Sequence, residues 1–174
     1  MSAVLATFPL VATGALASCG SSTGSGTVDS GGVATADSSR RLPDVLLASL
    51  DGEAIPMRSL IGTPLVVNFW YTTCPPCGRE LPVLAAAAAK YAGRVSFVGI
   101  DPRDDASAVT AFVAPRGVAY RQLLDRTDAS TDALGLAGFP TTMLVGADGT
   151  IRAVIRHAVT ADELDSRIRK TLLP

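Results

Sequence analysis

Histidine occurs once in this chain, cysteine three times, and aromatic residues make up only 5% of it. The scarcity of ligands argues against a metal centre. A tetrahedral zinc site takes four Cys or His side chains, and a Cys-x-x-Cys pair supplies half of one. Beyond Cys74 and Cys77 only Cys19 and His157 remain, and Cys19 lies far upstream. The formal net charge of −1 leaves no basic excess for a nucleic-acid partner. No uninterrupted apolar run reaches the roughly 20 residues of a membrane-spanning helix. The apolar stretch at residues 1–18 is short and broken by Pro9 and Gly14. With 48% hydrophobic residues, much of it Ala, a core is available but is built largely from small side chains. No Lys or Arg precedes Arg40.

What is present is concentrated in one stretch. Leu65 to Trp70 is apolar, β-branched and aromatic, interrupted only by Asn68, and predicts a strand covered on both faces. It runs into Cys74-Pro75-Pro76-Cys77, which predicts a helix start, because proline fits the first helical positions where an N–H has no intrahelical partner. Two residues between the cysteines let both sulfurs meet, with Cys74 expected exposed and Cys77 tucked behind it. The positive end of the helix favours a thiolate at Cys74, the form that attacks a disulfide. Cys77 would then resolve the mixed disulfide. An inert structural disulfide is the alternative.

This segment resembles the active site of thioredoxin-like proteins, and most closely the TlpA/ResA/CcmG group of extracytoplasmic thiol-disulfide oxidoreductases. The matching residues are Asn68-Phe69-Trp70, Cys74-Pro75-Pro76-Cys77 and Glu80-Leu81-Pro82. The group usually carries Trp directly before the first cysteine, where this chain has Thr73, so the surface beside Cys74 is smaller and more polar. The resemblance implies that Pro140, in Gly138-Phe139-Pro140-Thr141, is cis and lies against the redox disulfide. It also implies that the backbone of Phe139 pairs with an incoming peptide. Thr73, Phe139 and Pro140 are accordingly the expected substrate-binding residues. It further implies a catalytic role for Glu80, on the helix face of Cys77, as the group that takes the Cys77 proton and raises the thiol pKa values. A solvated Glu80 paired with Arg79 is the alternative.

Residues 1–18 fit the apolar segment of a secretory signal. They end in Leu16-Ala17-Ser18-Cys19, which resembles a bacterial lipobox, with Cys19 as the lipidated residue; a plain signal peptide or an uncleaved anchor is the alternative. The positive charge such a segment carries would come from the α-amino group or from a start further upstream. Residues 19–39 are the expected lipidated Cys19 followed by Gly20–Ser39, almost all Gly, Ser, Thr, Ala and Asp with little to bury, which predict a flexible tether spanning about 25 Å. Residues 40–174 are the expected thioredoxin-like domain.

Within that domain a hairpin is expected around Asp51-Gly52, a helix over Val83–Tyr91 kinked at Pro82, and a strand over Val95–Asp101. A helix capped by Asp104 or Asp105 should carry Val109, Phe112 and Val113 inward, the inserted βα step of the group. A strand over Val118–Leu124, a short helix over Asp128–Leu134 and a hairpin around Asp148-Gly149 follow. The last helix starts with a capping box, Thr160 with Glu163, and buries Leu164, Ile168 and Leu172. The fold class is α/β, a central mixed sheet flanked by helices with an N-terminal hairpin. Trp70 and Phe69 are expected in the core, and His157 on the surface.

Two prolines under Cys74 remove N–H donors from its thiolate, and a less stable dithiol means a lower reduction potential. The expected activity is therefore a reductase of disulfides in exported proteins or apocytochrome c, recharged by a membrane electron donor. It would be held outside a bacterial membrane by the lipid on Cys19, and needs neither cofactor nor metal. Alternatives are an oxidase using the same residues, and a lipoprotein module with a static disulfide. A peroxiredoxin would carry Thr and Pro where Tyr71 and Val67 stand.

Overall fold

The structure, a computed structural model, describes residues 33–35 and 40–173. The signal segment, Cys19 and most of the tether lie outside the described residues. The strands are β1 (Val33–Thr35), β2 (Leu46–Ser49), β3 (Ala54–Pro56), β4 (Leu65–Phe69), β5 (Ser96–Asp101), β6 (Arg121–Leu124), β7 (Thr141–Val145) and β8 (Ile151–Ile155). The α-helices are α1 (Pro75–Lys90), α2 (Ala106–Val113), α3 (Ala129–Leu134) and α4 (Ala161–Thr171).

The strands form one mixed sheet in the order β1-β8-β7-β4-β5-β6-β2-β3. β4 runs parallel to β5, and β5 to β6, while β7 is antiparallel to β4 and β8 to β7. This is the thioredoxin-like arrangement. The β2–β3 hairpin turns at Gly52, whose φ of 90° suits glycine, and joins the sheet through β6. β1 adds an edge strand on β8 inside the segment expected to be a structureless tether. Its ladder is made by backbone groups, which a reading of side chains for burial misses.

The period-two alternation of β4 sorts the core. Leu65, Val67 and Phe69 face one layer with Met57, Val98, Leu123 and Met143. Val66 and Trp70 face the other, with Leu81 and Leu84 of α1, Val109 of α2 and Leu164 of α4. α1 runs through Pro82 uninterrupted, with Leu81 and Leu84 fully buried on either side of it. The strand expected over Val118–Leu124 begins only at Arg121, after a left-handed turn at Gly117. At α4 the Thr160 hydroxyl accepts the Glu163 N–H at 3.3 Å, but the capping box is half made, because the Glu163 carboxylate turns to His157 at 3.0 Å instead.

Candidate active site

β4 delivers the chain to the C-terminal edge of the sheet, where ligands bind in open α/β folds. There Cys74 caps α1: its Sγ accepts the Cys77 N–H at 3.3 Å, and Pro75 and Pro76 occupy the first turn. Cys74 and Cys77 are joined as a disulfide, their Cα atoms 5.3 Å apart. The Phe139–Pro140 peptide is cis, as the resemblance implied.

Cys74 is not the exposed member expected from sequence. It is 3% exposed and Cys77 0%. Both sulfur-bearing residues belong to the helix-side core, and Tyr71 and Phe139 pack against that same cluster. The two rings meet edge to face at 5.3 Å between centroids. That these two aromatic side chains meet beside the cysteine-bearing cluster cannot be seen from local sequence, since they come from segments almost 70 residues apart in chain order, brought together by the β4–β7 pairing. Thr73 is exposed beside them.

Glu80 is not a solvated helix residue paired with Arg79. It is 1% exposed. Its Oε1 accepts from Asn68 Nδ2 at 2.7 Å and its Oε2 from the Val159 N–H at 3.1 Å. Burial pushes its carboxyl up to about 7, against the opposing pull of those hydrogen bonds and of His157. The position follows from two periodicities. Asn68 lies on the same strand face as Val66 and Trp70, and Glu80 stands one helical turn beyond Cys77. Asn68 also donates to Thr142 Oγ1 at 3.0 Å, its register partner on β7, and its own Oδ1 has no partner. The lone polar residue in the β4 run was the sequence signal for this buried pair.

Trp70 is fully buried and donates from Nε1 to Gln122 Oε1 at 3.0 Å, across β5. Gly99 of β5 pairs in register with Gln122 on β6 and with Asn68 on β4. A Cβ there would lie 2.0 Å from Gln122 Oε1 and 2.8 Å from Trp70 Nε1, so glycine is what lets the bond cross. Phe112 of α2 stacks on Trp70 at 5.5 Å. His157 is exposed, as expected.

The sequence reading offered Asp104 or Asp105 as the α2 cap and did not see the rest of the turn after β5. Asp105 caps α2, its Oδ1 accepting the Ala108 N–H at 2.8 Å. That leaves Asp104 free, and its Oδ2 accepts the Thr72 N–H at 2.6 Å, two residues before Cys74. Asp101, buried, accepts the N–H groups of Arg103 and Asp104 at 2.8 and 2.9 Å. Burial raises its carboxyl to about 6, with the adjacent Asp104 carboxylate pushing the same way. Three carboxylates within five residues at a parallel strand end, Asp101, Asp104 and Asp105, were the available sign.

The structure holds a disulfide at a helix start, a cis-proline loop and a buried carboxylate one helical turn beyond the second cysteine. Comparison with known proteins agrees. The redoxin family model matches residues 37–172. This chain belongs to the redoxin family. The redoxin is 32% identical over 116 residues to the thiol-disulfide oxidoreductase ResA of Halalkalibacterium halodurans, an alignment spanning 66% of each protein. With ResA of Bacillus thuringiensis it shares 26% over 132 residues, 75% of this chain and 76% of that one. Among solved structures, a secreted Mycobacterium tuberculosis disulfide oxidoreductase homologous to Escherichia coli DsbE is 30% identical with a TM-score of 0.66, covering 73% of this chain and 96% of that one. Mycobacterium tuberculosis dsbF is 31% identical with the same TM-score of 0.66, covering 73% and 94%. The redoxin is an oxidoreductase of this thiol-disulfide type.

Proposed function

We propose that the redoxin is a protein-disulfide reductase working outside the cytoplasm. In the forward cycle the Cys74 thiolate attacks one sulfur of a substrate disulfide, forms a Cys74–substrate disulfide and expels the other substrate sulfur as a thiolate. Cys77 passes its proton to Glu80, attacks the Cys74 sulfur and releases the second substrate thiolate. The substrate gains two electrons and the protein leaves as the Cys74–Cys77 disulfide. A membrane electron donor then restores the dithiol.

The observation that carries this reading is the buried Glu80 carboxyl one turn beyond Cys77, its affinity for a proton raised toward neutrality. Such a group accepts the Cys77 proton near neutral pH, and when charged it disfavours a second anion nearby. Pro75 and Pro76 supply no N–H to the Cys74 sulfur, which leaves the Cys77 N–H as its donor within the turn. Both features weaken the thiolate and so the dithiol, which lowers the reduction potential. We place the protein on the outer side of a bacterial membrane, tethered by a lipid on Cys19, with exported proteins or apocytochrome c as substrates. Support comes from the apolar segment ending in Leu16-Ala17-Ser18-Cys19 and from the likeness to a secreted oxidoreductase. Among the described residues no helix is long and apolar enough to cross a membrane.

The deciding experiment is the equilibrium reduction potential of the Cys74–Cys77 pair against glutathione and dithiothreitol. The expected value lies near or below about −270 mV, the level of thioredoxin. A value near −120 mV would reverse the direction of electron flow and make the protein an oxidase.

A further inference from the structure

We propose that Arg103 is a specificity-determining residue that pairs with an acidic side chain flanking the reactive cysteine of an incoming peptide. The inference rests on the thiol-disulfide reading and deepens it by naming a substrate class.

Arg103 is exposed, yet it is held on both sides of the site. Its guanidinium carbon lies 4.6 Å from the Tyr71 ring centroid and 5.7 Å from that of Phe139. Tyr71 belongs to the segment before the nucleophile, and its carbonyl accepts the Cys74 N–H at 3.2 Å. Phe139 precedes the cis Pro140. One cation thus bridges the two segments that border Cys74. Its backbone is fixed as well, since Asp101 Oδ1 takes the Arg103 N–H.

Stacking on an aromatic face uses the π surface of a guanidinium and leaves its in-plane N–H groups free. Those N–H groups form the fork that matches a carboxylate. The carboxylates nearest in sequence are otherwise engaged: Asp104 holds the Thr72 N–H, Asp105 caps α2, and Asp101 is buried beneath the turn. Among the described residues Arg103 makes no ion pair. Tyr71 and Phe139 pack against the cluster that holds Cys74, which is 3% exposed, so this cation stands at the border of the reactive sulfur. A peptide side chain of opposite charge arriving next to that sulfur is stabilised there and one of like charge repelled.

The test uses the full chain in reduced form and two peptide disulfides identical except for Glu or Lys beside the cysteine. Second-order exchange rates are measured, each divided by the same peptide's rate with dithiothreitol to remove its intrinsic reactivity. We expect the Glu peptide to be preferred by about three- to tenfold at low salt, the scale of a partly solvated ion pair gained against one repelled. The preference should shrink toward unity in high salt. It should vanish in Arg103→Gln, invert in Arg103→Glu and largely persist in Arg103→Lys. Any effect of Arg103 on the Cys74 thiolate itself alters both peptides alike and leaves the ratio unmoved. Equal rates for the two peptides, or a preference that survives in Arg103→Gln, would overturn the role of Arg103 while leaving the oxidoreductase reading intact. Exchange with neither peptide would overturn both.

Discussion

Glu80 has two acceptors committed, to Asn68 and Val159, and a proton affinity set by burial. Glutamine fits the same space: if the Asn68 amide flips, its unpartnered Oδ1 accepts from the new Nε2 and from the Thr142 hydroxyl, while the Gln oxygen keeps the Val159 N–H. Glu80→Gln should therefore fold, and its defect should be chemical. We expect the resolution step by Cys77 to slow on the order of 100-fold and the pH–rate inflection near 7 to disappear. Rapid-quench trapping of the mixed disulfide measures both, and an unchanged pH profile would remove Glu80 from the proton path. At this scale the sequence was legible where a residue's role is local. A helix starting at the cysteines and an α2 cap at Asp104 or Asp105 follow from their neighbours in the chain, and the structure places the caps at Cys74 and Asp105. The burial of Cys74 and the partners of Glu80 do not, because Phe139, Asn68 and Val159 reach them only through strand pairing and helix docking.

Helix α1 is held over the sheet by contacts that local propensity does not contain. Its alanines make it helical, but its place is set by Leu81 and Leu84 below and by α2 alongside, where Gly78 sits so close to Phe112 that a Cβ would lie 3.3 Å from the ring. On β5, Gly99 leaves the gap through which Trp70 and Gln122 meet. Gly99→Ala forces Gln122 aside and strands the buried indole N–H. The expected loss is about 2–3 kcal/mol, overpacking plus an unmade hydrogen bond, read as a lower denaturant midpoint with an unchanged slope. A loss below about 0.5 kcal/mol would show that the bond does not matter to stability. The strand pattern, the two hairpin turns and the helix caps were readable from period and turn residues. The turn from Asp101 to Asp105 was read only as a cap. That its Asp104 clamps Thr72 and its Arg103 spans two loops depends on β4 and β5 being parallel neighbours, which brings their C-terminal ends together.

At the scale of the molecule, two buried carboxyls among the described residues bind protons more tightly folded than unfolded, Glu80 at about 7 and Asp101 at about 6. The folded state then holds more protons between the ordinary carboxylate range and those values. Stability is highest below about pH 4 to 5 as far as these groups are concerned, and falls as pH rises through 6 to 7. Glu80 alone accounts for about 3 kcal/mol on the scale of 1.36 kcal/mol per pKa unit. Urea titrations of the oxidised protein and of Glu80→Gln at pH 5 and 8 should converge on a smaller pH dependence in the variant; parallel curves would contradict the elevated proton affinity. The sequence by itself determined the redox pair, the cis-proline loop by resemblance and the α/β class, because a Cys-x-x-Cys spacing, a buried apolar strand and a capped helix are written within one or two turns of chain. Only the tertiary structure decided that Cys74 is covered, that Glu80 is dry and bonded to Asn68, and that Arg103 stands at the rim. Those properties depend on burial and charge contributed by residues distant in the chain, which become neighbours only when the mixed sheet closes.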